Sequence, residues 1–470
     1  MKPDTIAALA TGAGRAGVAV IRLSGPAAGS TLSALTARDL PMPRMATREA
    51  FCDPRTGVSL DDGLALWFPG PHSFTGEDVV ELHIHGGPAV IAAVIDAALS
   101  QPGVRPAEPG EYTRRAFENG KLDLAEAEGL ADLVDAETEG QRRQALRQRR
   151  GALSAVYEGW RGKLIGAAAL IEAEIDFPDE DLPGALAQRA GPILQALADD
   201  MGHHLNDAHR GERIRDGYRI AIIGPPNAGK SSLLNALAKR EAAIVSDIPG
   251  TTRDVVEVRL VLAGFPVWIA DTAGLREAAD AIEAEGVRRA LARAEEADLR
   301  ILAVEAGQDG SVLAAEVLKP HDIWLQTKYD LYRETPAGRA ELEDRRKRYA
   351  GMSAYERVVH SGMLQQPRPW PDIFSVRDEV YVTALIEMIS IEVTEALSRE
   401  EAPVLTRARH RRLVEEARAA LLRAIPALDI GPELAAEDVR VAADQIGRLT
   451  GRIDVEDLLG EIFSSFCIGK

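Results

Sequence analysis

A short glycine-containing stretch of the chain has the residue types and spacing of a phosphate-binding loop. The sequence GPPNAGKS, residues 224–231, follows the apolar run YRIAII and precedes SLLNALAKR, which has a helical pattern. Glycines let backbone N–H groups turn towards phosphate oxygens, and the N-terminus of the following helix adds partial positive charge. We expect Lys230 to reach the β- and γ-phosphates and the Ser231 hydroxyl to bind Mg²⁺.

Two further stretches offer groups to a metal ion beside the phosphates. In the motif IPGTTRD, Thr251 and Thr252 carry hydroxyl oxygens that could enter the magnesium shell. In the motif DTAG, Asp271 closes a predicted strand and would act on the metal through water, while the N–H of Gly274 could sense the γ-phosphate. Both stretches follow the phosphate loop in the order that a P-loop GTPase requires.

A third stretch, TKYD, is predicted to read the base. The carboxylate of Asp330 can accept hydrogen bonds from guanine N1–H and the exocyclic amine, a donor pair that adenine lacks, so it favours GTP over ATP. Thr327 stands where this motif usually has Asn, and we expect weaker guanine binding rather than lost specificity. The run Ser375-Val376-Arg377 resembles the last guanine-contacting loop, but Val replaces the usual Ala and the glycines that normally follow are missing. That contact stays open.

The predicted nucleotide site combines these motifs with their immediate neighbours. Its members are Gly224, Asn227, Ala228, Gly229, Lys230, Ser231, Ser232, Ser246, Asp247, Ile248, Pro249, Gly250, Thr251, Thr252, Asp271, Thr272, Ala273, Gly274, Thr327, Lys328, Asp330, Ser375, Val376 and Arg377.

Hydrolysis needs a group that orients water, and the usual one is missing. Ras-like enzymes place Gln directly after the DTAG-type motif, where this chain has Leu275. Asn227 and the backbone of residues 246–248 could instead hold a monovalent cation against the phosphates, in the place of an arginine finger. Arg253 and Arg276 are competing sources of positive charge. Glu283 could align the water from a distance.

The elements that must position these residues suggest a multidomain protein. Short apolar runs separated by helical stretches predict a Ras-like parallel sheet in an α/β P-loop GTPase domain over 216–398. Helical spacing predicts an all-α domain over 119–215 that resumes over 399–470, so the α/β domain is inserted in it. Strand and helix signals alternate over 1–118, which indicates an α+β domain. Residues 331–372 are read as a surface insertion of unknown purpose.

Composition places the chain among ordinary globular proteins of a reducing compartment. Of 470 residues, 46% are hydrophobic and 27% charged, and no apolar run approaches the length of about 20 that crosses a bilayer. Two cysteines, Cys52 and Cys467, cannot form a disulfide framework, and a cytoplasmic location is expected. The formal charge of −18 argues against coating nucleic acid non-specifically.

Two local features leave alternatives open. The basic clusters QRRQALRQRR (141–150) and TRARHRR (406–412) could be solvated helix faces or contacts for the phosphates of a structured RNA. The final tetrapeptide CIGK has a cysteine at the position of a prenylation box, but Gly469 and Lys470 do not fit that motif. The alternative is an arm that carries a thiol, an ammonium group and a carboxylate to a reaction site, with no membrane anchor.

The motifs taken together resemble a known family. TGAGRAGVAVIRLSG, SFTGEDVVELHIHGGP, RPAEPGEYTRRAFENGKLDLAEAE, IDFPDEDLP and GRLTGRIDVEDLLGEIFSSFCIGK flank the nucleotide motifs. With them, the chain is similar to the bacterial and organellar tRNA modification GTPases called MnmE or TrmE. The resemblance implies a tetrahydrofolate-binding dimerisation domain over 1–118, followed by the helical domain and its inserted GTPase domain.

The resemblance also implies cofactors and site residues. Potassium would be held by Asn227, Ser246, Ile248 and Thr251, and Mg²⁺ by Ser231 and Thr252. Glu283 and Lys230 would be catalytic, with Cys467 as a candidate thiol. A tetrahydrofolate derivative (5-formyl- or 5,10-methylenetetrahydrofolate) would contact Arg22, Glu81, Lys121 and Lys470. These types suit folate, because Arg or Lys can pair with its glutamate tail and Glu81 can accept from the pterin.

The implied activity is K⁺-activated hydrolysis of GTP to GDP and phosphate. The implied assembly is a homodimer that joins an FAD-containing partner, similar to MnmG/GidA, in a heterotetramer. Together they would add a carboxymethylaminomethyl-type group to C5 of the wobble uridine of certain tRNAs. Two alternatives share the nucleotide motifs: a ribosome-assembly GTPase that binds RNA as a switch, and a folate-dependent scaffold whose GTPase has become slow.

A metal site is a rival interpretation of one strand. Glu81, His83 and His85 share a face by the period of two, and two histidines with a carboxylate could bind a metal ion. The family resemblance argues against this interpretation, because only the second His stands in the family block.

Overall fold

The computed structural model describes most of the chain in two compact units. The residues described are 4–12, 14–176, 186–207, 209–240, 257–271, 295–309, 318–340, 343, 374–398, 404–453, 456–464, 466 and 469. The first unit comprises Met1–Val134, Leu146–Met201 and Arg412–Lys470, and the second comprises Asp135–Ala145 and Gly202–Arg411. The domain boundaries expected from the sequence stay a prediction.

Each unit is built around one sheet. The strands are β1 Thr5–Leu9, β2 Ala16–Ser24, β3 Thr47–Cys52, β4 Ser59–Phe68, β5 Val79–Gly86, β6 Val104–Pro106, β7 Tyr218–Ile223, β8 Glu257–Leu262, β9 Phe265–Asp271, β10 Leu299–Glu305 and β11 Ile323–Thr327. The helices are α1 Ala28–Thr36, α2 Pro88–Leu99, α3 Glu111–Glu118, α4 Leu124–Asp135, α5 Glu139–Arg149, α6 Ala152–Asp176, α7 Gly191–Leu205, α8 Arg210–Asp216, α9 Lys230–Arg240, α10 Tyr329–Tyr332, α11 Glu379–Leu397, α12 Ala408–Ala427, α13 Pro432–Thr450 and α14 Glu456–Ser464, with a 3-10 helix at Ala187–Ala190.

The sheet of the first unit is mixed and has six strands in the order β3-β4-β5-β2-β1-β6. Strand β1 pairs antiparallel with β2 and parallel with β6. Successive side chains alternate between the two faces of a strand, so Ile21 and Leu23 of β2 enter the core with Leu82 of β5. Arg22 therefore lies on the opposite face, where it is directly paired with Glu81 in the register of β2 and β5.

The helical part of the first unit packs through long amphipathic helices. Helix α6 buries Leu153, Tyr157, Trp160, Leu164 and Ile171, which recur at intervals of three, four or seven residues and form one face. This helix packs against α13. Among the described residues, no helix combines the length and the apolar character that crossing a membrane demands.

The sheet of the second unit has five strands in the order β11-β10-β7-β9-β8, and all pairs except the β8–β9 hairpin are parallel. Its buried side chains include Ile220, Ile222, Val267, Ile269 and Ile301. The mostly parallel sheet predicted from the apolar runs is confirmed. Because parallel strands end at a common edge, the described residues at the carboxyl ends of β7, β9, β10 and β11 are brought together there.

A segment of the helical sequence forms part of this second unit. The N–H of Gly140 donates to the carbonyl of Gly264 at the tip of the β8–β9 hairpin, over 2.9 Å. Glu137 forms an ion pair with Arg259 of β8. The added Cβ of any other residue at position 140 would lie 2.5 Å from the ring of Phe265, so this close approach requires glycine.

Candidate nucleotide site and a second polar cluster

The phosphate loop lies tightly against the neighbouring strand. Gly224, which directly follows β7, has a φ of +144°, and a Cβ there would lie 2.0 Å from the carbonyl oxygen of Ala303 in β10. Asn227 adopts a left-handed φ of 61° and Gly229 a φ of 87°. Glycine is therefore required at position 224 both by its backbone conformation and by the space available. These constraints shape the loop that joins β7 to α9.

Lys230 begins α9 and lies across the loop. Its side chain is buried, and Nζ donates to the carbonyl oxygens of Gly224 and Pro225, each over 2.7 Å. Burial lowers the pKa of this ammonium group below its ordinary value, while the charge of Asp271 acts in the opposite direction. An ammonium group has three donors, so one remains for a phosphate oxygen.

Ser231 and Asp271 meet beside the loop. The Ser231 hydroxyl donates to Oδ2 of Asp271 over 2.5 Å, and Asp271 is a buried residue at the end of β9. A hydroxyl and a carboxylate are the oxygen ligands that suit Mg²⁺, which usually adds only one or two carboxylates to water and substrate phosphates. The two groups predicted to serve the metal, directly and through water, are thus adjacent.

The TKYD stretch, which we call the base loop, is linked to the phosphate loop by Thr327, the residue that stands in place of the usual Asn. The buried Thr327 hydroxyl lies 2.5 Å from the Ala228 carbonyl oxygen and 3.1 Å from that of Val304. A hydroxyl can donate to one of these acceptors at a time. Lys328 has a left-handed φ of 57°, and its Nζ pairs with Glu305 at the end of β10 over 3.1 Å.

Asp330 is held by the loop that resembles the last guanine contact. The Ser375 hydroxyl donates to Oδ1 of Asp330 over 3.0 Å, and Nη1 of Arg377 lies 3.6 Å from Oδ2. Arg377 is 79% exposed, so its attraction to Asp330 is weakened by solvent. Val376 packs against the core of the sheet. The sequence suggested these residues one by one, but no local signal indicated that two of them contact the base-reading carboxylate.

Part of the predicted site falls outside the described ranges of the chain. Ser246, Asp247, Ile248, Pro249, Gly250, Thr251, Thr252, Arg253, Thr272, Ala273, Gly274, Leu275, Arg276, Glu283, Cys467 and Lys470 lie outside the described residues. Ser232 lies in the first turn of α9 and is exposed.

A second polar cluster lies on the first unit's sheet. Nη2 of Arg22 is 2.8 Å from Oε1 of Glu81, and the guanidinium carbon is 5.8 Å from the ring centres of both Phe74 and Tyr112. The carbonyl oxygen of Gly469, in the C-terminal tetrapeptide, lies 3.5 Å from Nη1 of Arg22.

Two of the four residues predicted to contact folate are therefore in direct contact, with part of the tail beside them. Lys121 lies next to Gly76, where a Cβ would be 3.1 Å from Lys121 Cε.

The rival metal interpretation is not supported by the positions of the histidines. Nε2 of His83 is 3.5 Å from Oε2 of Glu81, but Nδ1 of His85 is 2.8 Å from Oδ1 of Asp61 on the neighbouring strand. Over the part of the chain that the structure describes, no group of three His, Cys, Asp or Glu side chains is arranged to hold a metal ion.

Comparisons with known proteins identify the family of the chain. Residues 5–121 match the family model described as the GTP-binding protein TrmE N-terminus, and residues 124–467 match the MnmE helical domain. The chain belongs to the MnmE family. The resemblance inferred from the motifs is confirmed, and the matched ranges include both the phosphate loop and the Arg22–Glu81 pair.

Relatives match over their full length. The tRNA modification GTPase MnmE of Parvibaculum lavamentivorans is 55% identical, with 99% of this chain and 100% of the relative covered. The protein of the same name from Maricaulis maris is 55% identical, with 99% of each chain covered. Among solved structures, the G domain of the T. maritima FeoB iron transporter is 26% identical, covers 27% of this chain and 81% of its own, and has a TM-score of 0.20.

Proposed function

We propose that this chain hydrolyses GTP to GDP and phosphate, and that hydrolysis drives the modification of tRNA. The observation that carries this proposal is the junction of three motifs at one edge of the parallel sheet. Lys230 lies over the phosphate loop, Ser231 contacts Asp271, and Thr327 links the phosphate loop to the base loop. Such a site supplies positioning and positive charge, which are the main requirements of phosphoryl transfer.

The metal ions have separate roles in this proposal. Mg²⁺ would be held by Ser231 and Thr252, with Asp271 acting through water, and it neutralises charge on the β- and γ-phosphates when bound. Potassium would be held by Asn227, Ser246, Ile248 and Thr251, and it would supply the positive charge that this chain, with Leu275 in place of the usual glutamine, otherwise needs. The exposed position of Asn227 in the phosphate loop supports this assignment. Glu283 would orient the attacking water.

The first unit would supply the one-carbon chemistry. Arg22, Glu81, Lys121 and Lys470 would hold a tetrahydrofolate derivative, with Cys467 as a candidate reactive thiol. The half-buried Arg22–Glu81 pair supports this role, because its face of the sheet also carries the aromatic rings of Phe74 and Tyr112.

The chain would act as a cytoplasmic homodimer. With an FAD-containing partner, it would add a carboxymethylaminomethyl-type group to C5 of the wobble uridine of certain tRNAs.

The nucleotide part is tested by measuring GTP hydrolysis with Mg²⁺ in KCl and in NaCl at equal ionic strength. We expect turnover in KCl that falls at least tenfold in NaCl and is lost in Lys230→Ala. Asp330→Asn should shift the preference from GTP to xanthosine triphosphate, because the amide presents a donor to the xanthine oxygen. Equal turnover in both salts would refute the potassium role, and no turnover in KCl as well as in NaCl would refute the hydrolase.

The tRNA part is tested by nucleoside analysis. Cells that lack the gene should lack the modified wobble uridine, and the parent chain but not Lys230→Ala should restore it. Unchanged nucleosides in the deleted cells would refute this part.

The folate part is tested by equilibrium dialysis with labelled 5-formyltetrahydrofolate. Glu81→Gln should weaken binding strongly, whereas Glu118→Gln should not, because Glu118 is an exposed residue paired with Arg114 within α3. Equal affinity in the parent and Glu81→Gln would exclude this carboxylate from the site.

A further inference from the structure

Helix α5 carries a face made of arginine side chains. Arg142, Arg143, Arg147, Arg149 and Arg150 are all exposed. A helix advances 100° per residue, which places Arg143 and Arg147 on one side. Arg150, one residue past the end of α5, continues that side because its N–H donates to the Leu146 carbonyl as in a helix, while Arg142 and Arg149 lie on the flank nearer the buried side. The buried positions Gln141, Ala145 and Gln148 lie on the opposite side. We call the exposed side, from Arg142 to Arg150, the arginine face.

The arginine face is not what attaches α5 to the protein. Three glutamines do this by donating to backbone carbonyls: Gln141 to Arg215 over 2.8 Å, Gln144 to Gly211 over 2.9 Å and Gln148 to Ala125 over 2.9 Å. The bond from Gln148 is buried and the other two are part-buried, and hydrogen bonds removed from solvent are costly to break. They fix the helix without help from the guanidinium groups. The arginines are therefore available for another purpose.

The second basic cluster of the sequence differs in this respect. Arg411 is nearly buried, with 10% of its side chain exposed, and it pairs with Asp207 and Glu212. His410 is completely buried. Packing of the second unit accounts for these residues of the 406–412 cluster, whereas no comparable role accounts for the arginine face.

Local charge on α5 is also poorly compensated. Glu139 lies 2.8 Å from Arg142 and 3.7 Å from Arg143, and it serves both. Arg149 attracts the Glu126 carboxylate electrostatically, whereas within the described part of the chain Arg147 and Arg150 form no ion pair. The result is a positive stripe on a chain whose formal charge is −18. That net charge argues against diffuse attraction to polyanions, but it is compatible with contact at this one stripe.

We propose that the arginine face binds phosphate groups of a structured RNA, which under the proposed function is the tRNA substrate. Guanidinium groups bind phosphate with two parallel hydrogen bonds, and the span from Arg143 to Arg150 is on the order of 10 Å. The exposed positions carry no aromatic or large apolar residue, which argues against the apolar centre of a protein interface. Phosphate contacts carry no sequence information, so the face orients the tRNA rather than selecting the wobble base.

The test removes three charges and compares tRNA binding by the full chain. The variant Arg143→Gln/Arg147→Gln/Arg150→Gln keeps strong helix formers at all three positions. The control Arg412→Gln/Arg423→Gln/Arg440→Gln removes the same charge from exposed positions on other helices. Affinity for purified tRNA is measured over a series of potassium acetate concentrations.

If the proposal holds, the face variant loses at least tenfold in affinity at low salt. The slope of log affinity against log salt should become shallower by about two to three, as expected for the loss of three phosphate contacts. The control variant should stay within twofold of the parent. GTP hydrolysis and thermal unfolding should match the parent in both variants, which shows that the loss is not due to misfolding.

Three results would overturn the proposal. The first is equal affinity and slope in the face variant and the control. The second is no binding of tRNA by the parent chain at any salt concentration. The third is intact tRNA binding with loss of the FAD-containing partner, which would make the face a protein interface. Failure of GTP hydrolysis by the parent chain refutes the proposed nucleotide chemistry instead, so the two failures are distinguishable.

Discussion

Replacing Thr327 by Val tests whether the hydroxyl prepares the phosphate loop for nucleotide. Val keeps the shape of Thr but removes the donor that joins Thr327 to the Ala228 carbonyl over 2.5 Å. This bond ties Thr327 to the phosphate loop and restricts the conformations open to that loop. Without it, nucleotide binding must supply the free energy that orders the loop.

The size of the effect follows from the burial of this bond. Thr327 is only 2% exposed, so solvent cannot readily replace the lost donor. An unsatisfied buried acceptor costs about 1–3 kcal/mol, which corresponds to a roughly 5- to 150-fold change in an equilibrium constant. The Val304 carbonyl lies 3.1 Å from the same hydroxyl and competes for its proton. The expected loss of affinity is therefore nearer the fivefold end of this range.

The assay is the affinity for a fluorescent GDP analogue, measured with Mg²⁺ in KCl. Thr327→Val should bind at least fivefold more weakly than the parent, whereas Thr327→Ser, which keeps the hydroxyl, should stay within about twofold. Thr327→Asn restores the usual residue of the motif and should bind more tightly than the parent. Parent-like affinity in Thr327→Val, or an equal loss in Thr327→Ser, would refute the reasoning.

Three other changes have outcomes that the structure fixes. Gly224→Ala should abolish detectable GDP binding, because its Cβ would lie 2.0 Å from the Ala303 carbonyl, while Gly159→Ala, whose Cβ meets nothing within 4 Å, should bind GDP normally. Gly140→Ala should collide with Phe265 and release the bond to Gly264, seen as faster hydrogen exchange of the residue 140 amide; parent-like protection would contradict the contact. Hydrogen bonds from Arg105, opposed by desolvation but aided by bonds from Arg115, lower the pKa of Asp4 below 3.8. The ionised carboxylate therefore stabilises the fold above that pH, and this contribution is lost as the pH falls through the lowered pKa. The thermal unfolding temperature, measured as the pH is lowered, should fall in the parent and fall less in Asp4→Asn. Identical pH profiles for the two proteins would exclude this contribution of Asp4.

The parallel strands of the second unit were predictable because they are buried on both faces. Strands β7, β9, β10 and β11 read as continuous apolar runs. The candidate site residues stand at or just after the carboxyl ends of these strands in the sequence. Strand β8 was not predicted. It pairs with β9 alone, at the edge of the sheet, and its polar Glu257 and Arg259 dilute the apolar signal.

Contacts between distant parts of the chain could not be read from local patterns. The family resemblance suggested Arg22 and Glu81 separately, but their pairing depends on the register between β2 and β5. Gly140 precedes the phosphate loop in the sequence and Gly264 follows it, and no pattern near either glycine predicts their contact. The same holds for the contact of Ser375 with Asp330.

The return of the C-terminus to the first unit has a consequence for synthesis on the ribosome. The ring of Phe463 in α14 lies 6.5 Å from that of Phe117 in α3, and Gly469 packs against Leu9 of β1. At translation speeds of about 5–20 residues per second, roughly 20–70 s separate the synthesis of Phe117 from that of Phe463. The inserted second unit can finish folding during that interval. The apolar surface that Phe117 shares with Leu124 therefore lacks its cover until Phe463 has been synthesised.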